Sequence, residues 1–284
     1  MSMASPTPVR QKRRRFRYLR ADVLTLLLFF GLMSAVYLLP ADTSLALVQK
    51  GGTLKVCVPA SYPPLVTGNA ADPGFDISLM QAVAEKLGLK LALNANPNMG
   101  KDFNPRNWHV TRAQCEVLAG GVLTSRTTQS FLETLSTGVA TGWAVIQKPG
   151  TTLARGSRIG VYPGLGGLDR LGLSTFLRAQ GVQGALRPSL AALEAGLESG
   201  EIDAAATEAL GAGKLIVDHP DWTISWLPED LGRATLGIGL WKGDLTLKRA
   251  IIAAIDELER DGTIAQLQQR YGIVPIDAVA SFAP

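Results

Sequence analysis

Four short stretches of this 284-residue chain carry groups able to hold a small polar molecule, and each follows an apolar run of strand length. Ser61-Tyr62 comes after TLKVCV, and Thr124-Ser125-Arg126-Thr127-Thr128 after EVLAGGVL. Residues 164–167 (GLGG) come after RIGVY, and Thr207-Glu208 after IDAAA. Together they offer an aromatic face, several hydroxyls, one cation in Arg126, one anion in Glu208 and open backbone N–H groups in the glycine run. An arginine grips a carboxylate through two parallel hydrogen bonds, and a carboxylate answers an ammonium group. The mixture suits a zwitterion or another small polar solute better than a phosphate or a metal.

Other chemistries find little material. The two histidines, His109 and His219, belong to no H-E-x-x-H pattern, and C-x-x-C does not occur, so neither a metal site nor a Ser–His–Asp arrangement is expected. The run Gly164-Leu165-Gly166-Gly167 lies between a strand and a helix, but Asp169 stands where a dinucleotide fingerprint needs its third glycine. No cofactor is predicted. The net charge of +4 sits wholly in the first 46 residues, which hold seven basic residues (Arg10 to Arg20) and two acidic ones. The body is close to neutral, which argues against a nucleic-acid partner.

That basic segment precedes the apolar run Val23 to Leu39, and Ser44-Leu45-Ala46 offers small residues at the two positions a signal peptidase reads. Residues 1–46 thus read as an export signal. At 17 residues the run also lies at the lower edge of a membrane-spanning helix, so an uncleaved transmembrane anchor stands as the alternative. Either way the body is expected in the periplasm. There, Cys57 and Cys115 read as a disulfide, with two buried thiols as the other reading. Closing a loop of about 58 residues would stabilise the fold by roughly 4 kcal/mol.

The elements that must position these residues follow from periodicity. Strands are predicted at 53–58, 89–93, 116–119 and 141–147, with a helix over 76–87 whose N-cap is Asp76. After a linker near 149–152 the pattern restarts. Strands are predicted at 157–161, near Leu186 and at 202–206, with helices at 168–179 and after Ser189. Two more strands, at 223–227 and 234–240, precede two closing helices. Alternating strands and helices imply an α/β fold with parallel sheets in two lobes. Ligands of such sheets bind beyond the carboxyl ends of the strands, where the four stretches converge.

In their order, GTLKVCVPASYPPL, GFDISLMQAVAEKLGLKL, CEVLAGGVLTSRTT, RIGVYPGLGG, LESGEIDAAATE and LGIGLWKGDLTLKRAIIAAIDELERDGTIAQLQQRYG cover most of residues 51–273. This order resembles family 3 of the bacterial extracellular solute-binding proteins, the receptors of polar amino-acid ABC importers. The resemblance implies a two-lobed periplasmic-binding-protein type II clamshell with two hinge strands, a Venus flytrap behind an N-terminal signal or anchor helix. Lobe 1 would hold residues 51–147 and 240–284, and lobe 2 residues 152–236. It implies a binding protein and not an enzyme, partnered by an ABC permease in the inner membrane. By position, Tyr62 and Phe75 would form an aromatic wall. Gly121, Val122 and Thr124 would meet a carboxylate, Gly164, Gly166 and Gly167 would add N–H donors at a helix start, and Glu208 would take the ligand's amino group. One departure stands out. The family's carboxylate-binding arginine falls three residues after the threonine, where this chain has Thr127, and Arg126 precedes it. The chain also looks like a periplasmic branch of the fold found beside quinoprotein alcohol dehydrogenases, which implies an accessory role. A few relatives are dehydratases, for which Glu208 would be a general acid.

Overall fold

The computed structural model describes residues 23–34, 41–99, 104–163, 168–273 and 280–281. They divide into two compact units between Asp42 and Thr43. In the first unit residues 23–34 form a helix, α1, whose described side chains are all exposed, Leu24 and Phe30 among them. Among the described residues no helix is long and apolar enough to cross a membrane. Residues 35–39 of the apolar run lie outside the described residues.

The second unit begins with α2 (Ser44–Gly51), so the residues expected to mark a cleavage site are part of the folded body. Ser44 Oγ accepts the N–H of Leu247 at 3.2 Å, and Thr246 Oγ1 accepts the N–H of Leu45 at 3.2 Å. Each helix start thereby takes a hydroxyl from the other. Val48 is buried in the adjoining core.

The first sheet is built on β1 (Thr53–Pro59), apolar on both faces from Val56 onward. The helix α3 (Phe75–Lys86) carries the chain across to β2 (Lys90–Asn96), parallel to β1. A single 3-10 turn, Pro105–Trp108, precedes β3 (Val117–Leu123), which is parallel to β1 on its other side. After the short α4 (Arg126–Phe131) comes β4 (Leu132–Thr141). Its sequence, LETLSTGVAT, is too polar to be legible as a strand. The order is β2-β1-β3-β10-β4, with β10 (Ala234–Trp241) antiparallel to both its neighbours.

The second sheet has the order β11-β9-β5-β8-β6-β7. It contains β5 (Trp143–Gln147), β6 (Arg158–Tyr162), β7 (Gln183–Leu186), β8 (Ala204–Glu208), β9 (Thr223–Trp226) and β11 (Ala280–Ser281). Alternation along its strands sends Ala144, Ile146 and Ala205 to one apolar cluster and Trp143, Val145, Ala204 and Ala206 to another. The first is covered by α6 (Leu190–Ser199) and α7 (Ala209–Asp218), the second by α5 (Arg170–Ala179). The helices α8 (Leu245–Arg260) and α9 (Thr263–Arg270) pack in the first sheet's core through Leu247, Ile251 and Ile264.

The fold is therefore α/β and two-lobed, as predicted, but the sheets are mixed where parallel sheets were expected. The reason is connectivity. The chain passes from one sheet to the other at Gly142, between β4 and β5, and returns between β9 and β10, and both β5 and β10 run against their neighbours. A Cβ on Gly142 would stand 3.1 Å from Arg233 Cα, so the two crossings pass in close contact. The lobe limits shift accordingly. Residues 143–147 pair in the second sheet, not the first, the return to the first sheet begins at Ala234, and Ala280–Ser281 pairs with β9. Cys57 and Cys115 form the expected disulfide, which ties β1 to the approach to β3 and is buried against Trp108, Val122 and Trp241.

Candidate functional site

Tyr62 lies in the proline-rich loop after β1, where the chain cannot continue as a central strand. Its hydroxyl donates to Glu208 Oε1 at 2.6 Å, and Thr141 Oγ1 donates to the same oxygen at 2.6 Å. Three separate pieces of the fold meet at this one carboxylate oxygen: a loop of the first sheet, the last residue of β4 before the crossing, and the last residue of β8 in the second sheet. Tyr62 and Glu208 are 3% and 4% exposed, so the contact is shielded from water. Burial, followed by the Glu208 charge, pushes the Tyr62 phenol far above its ordinary range and keeps it a donor. Glu208 also stands at the N-cap position of α7, where the helix dipole favours a negative charge.

The aromatic ring is seated by two glycines. Gly120 and Gly121 have φ of +86° and +91°, and a Cβ on Gly121 would lie 2.3 Å from Tyr62 Cε1. Only glycine supplies both that backbone and that closeness. Both N–H groups donate to Asp76 Oδ2, at 2.7 and 3.2 Å. Asp76 is thus not the N-cap of α3, a position that Gly74 holds. It sits one residue inside the helix, buried, with its other oxygen lacking a hydrogen-bond partner. Burial pushes its carboxyl up to about 6, against the opposing pull of the two glycine N–H groups.

The structure brings together Tyr62, Gly121 and Glu208 from among the predicted residues, and adds Thr141 and Asp76. The others part company. Phe75 is wholly buried in the first sheet's core and is a packing residue, not a wall. Val122 packs around the disulfide and pairs with Gly237. Thr124 donates its N–H to Thr235, which pairs with Ala140 beside the site, and its buried hydroxyl has no partner, like that of Thr207 next to Glu208. Arg126 is the exposed first residue of α4. Gly164, Gly166 and Gly167 lie outside the described residues. The helix they were expected to open starts later, at Arg170, and its N-terminus is filled by Asp169, whose carboxylate accepts the N–H of Gly172 at 2.8 Å. Two of the expected carboxylate-binding devices are thus already occupied by the protein's own acids: the Gly121 N–H by Asp76, and the start of α5 by Asp169.

Neither Asp76 nor Thr141 was legible as a site residue. An aspartate at a helix start has the signature of a cap, and Thr141 opens an apolar stretch that reads as strand. Among the described residues no group of three or more His, Cys, Asp or Glu side chains could hold a metal ion.

Residues 54–273 match the family described as bacterial extracellular solute-binding proteins, family 3. A membrane-bound lytic murein transglycosylase F from Cronobacter sakazakii (strain ATCC BAA-894) is 22% identical over 271 residues, 92% of this chain and 51% of that protein. The chain thus spans about half the length of that curated relative. Among solved structures, an ancestral cationic amino acid solute-binding protein aligns with a TM-score of 0.62 at 17% identity, over 80% of this chain and 99% of its own. The L-cystine solute receptor of Neisseria gonorrhoeae, in its unliganded open conformation, aligns with a TM-score of 0.60 at 22% identity, over 79% of this chain and 94% of its own. At these identities the structural likeness speaks for the fold.

Proposed function

Because the chain belongs to the bacterial extracellular solute-binding proteins of family 3, we propose that it is a receptor for a small polar solute, held where Tyr62 and Glu208 meet and passed in the periplasm to an ABC permease. The observation that carries this reading is the buried Glu208 carboxylate, which accepts from the hydroxyls of Tyr62 and Thr141 where the two sheets meet. An ammonium or guanidinium group would answer its charge directly, and a neutral hydroxyl does so less strongly. A solute cation would take the place of the Tyr62 hydroxyl, with Thr141 retained. Binding on groups from both sheets would favour closure of the lobes about the Gly142 crossing.

The carboxylate end of an amino acid has weaker support, since Asp76 and Asp169 occupy donors that would otherwise meet it. Arg126 is the remaining candidate for that role. The solute class is therefore one defined by a cation, with the carboxylate secondary. The basic and apolar segment ahead of α2 would export the body and, if uncleaved, tether it to the inner membrane. The match to the transglycosylase covers half of that protein and brings no activity across.

A second reading has one observation in its favour. Tyr62 and Glu208 already satisfy each other, which suits a closed module that docks on a periplasmic dehydrogenase. Isothermal titration separates the two, using a panel of lysine, ornithine, arginine, their decarboxylated amines, cystine and small organic acids. The receptor reading expects an amine-bearing solute to bind, with about 100-fold weaker affinity in Glu208→Gln. Arg126→Ala should weaken the amino acid more than its decarboxylated amine if Arg126 meets the carboxylate. No heat from any member of the panel would overturn the receptor reading and favour the docking module.

A further inference from the structure

A groove of about 670 Å³ opens in the second sheet's lobe, between α5 and the edge strand β7. Tyr62, Thr141 and Glu208 take no part in it, so it is separate from the site above. Its floor is apolar. Leu173 and Leu177 of α5 and Val161 of β6 are buried there, and Trp143 lies at the end. One lip is β7, whose four residues are all exposed, with Leu186 80% exposed. The other lip is polar and cationic. Arg170, Ser174 and Arg178 follow one another at four-residue spacing, which places them along one edge of α5 at steps of about 6 Å. All three are exposed. Arg178 Nε donates to the Ser174 carbonyl at 3.2 Å, which holds that arginine along the lip. A third lining arginine, Arg187, is committed to Glu201 at 2.8 Å. Among the described residues, none that lines the groove is acidic.

Such a groove has the size of a small-ligand pocket. An apolar trough with cations along one rim fits a molecule with an apolar body and an anionic head. We propose that the groove between α5 and β7 binds an amphipathic carboxylate, a free fatty acid or an aryl carboxylate, with its body on Leu173 and Leu177 and its head at Arg170 and Arg178. The apolar body leaves water against the trough, and the carboxylate pairs with a guanidinium through charge-assisted hydrogen bonds. Head-group charge then decides which amphiphile binds.

Gly184, on the β7 lip, offers a way to close the groove without touching its arginines. It is exposed on β7, and a Cβ there would come 3.3 Å from Leu177 Cδ1 and 3.6 Å from Val161 Cγ2, so a larger side chain would project over the floor. The test is equilibrium dialysis of the full chain against radiolabelled dodecanoate below its micelle concentration, beside dodecanol and dodecyltrimethylammonium. The proposal predicts saturable binding of dodecanoate, about tenfold or more weaker binding of the two non-anionic amphiphiles, and loss of the dodecanoate site in Gly184→Leu. The double variant R170Q/R178Q alters only exposed side chains, and it should erase the preference for the anion while circular dichroism stays unchanged. No saturable dodecanoate binding would overturn the proposal. So would equal binding of all three amphiphiles, or binding that both variants leave untouched.

Discussion

At the scale of single residues, Asp76 decides how the first sheet presents Tyr62. Its one bonded oxygen holds Gly120 and Gly121 in the left-handed backbone on which the tyrosine ring rests, and its other oxygen is buried without a partner. A carboxyl raised from 3.8 to about 6 binds its proton more tightly in the folded state than in the unfolded one. Its contribution to stability is therefore full below the unfolded value and is lost as pH rises through about 6, by roughly 3 kcal/mol over that window. Asp76→Asn removes this titration. Urea unfolding of both proteins across the pH range from 3.8 to about 6 should show the wild type losing stability relative to the variant as pH rises, and parallel curves would contradict the assignment. Residue chemistry was legible here only in part. Tyr62 and Glu208 could be placed because each follows a strand, where α/β sheets expose their functional groups. Asp76 could not, because its role depends on the glycines of a strand 44 and 45 residues away, and a helix start gives any aspartate the look of a cap.

At the scale of elements, α2 shows how a stretch can belong to two readings. SLALVQKG beside an apolar leader looks like a processing site, yet it is a helix whose first residues exchange hydroxyl contacts with the start of α8. A chain beginning at Leu47 loses both contacts and part of the Leu45 packing, a cost of about 2 kcal/mol. It should melt about 4–8 °C below a chain beginning at Ala41 in differential scanning calorimetry. Equal melting temperatures would show that α2 does not support the body. Periodicity located α3, α6 and α8 because their apolar faces are regular. It missed β4, half-buried and rich in polar residues, and α7, whose two glycines (Gly211 and Gly213) dilute the helical signal.

At the scale of the whole molecule, alternating strands and helices were enough to reach a two-lobed α/β fold, and the family resemblance supplied the hinge. What the pattern lacked was strand direction, because hydrophobic alternation is the same for a strand run either way. Only the two crossings fix it. They make β5 and β10 antiparallel and bring Thr141 to the end of β4, next to Glu208. We propose that this junction, joining a loop of one sheet to a strand end of the other, holds a cation-bearing solute. The most direct measurement is mass spectrometry of the small molecules released on denaturing the protein purified from its own host, with Glu208→Gln purified alongside. The expected result is a near-stoichiometric polar solute carrying an amine or guanidine, depleted about tenfold or more in the variant. Recovery of no such solute, or of the same solute at the same ratio from both proteins, would contradict it.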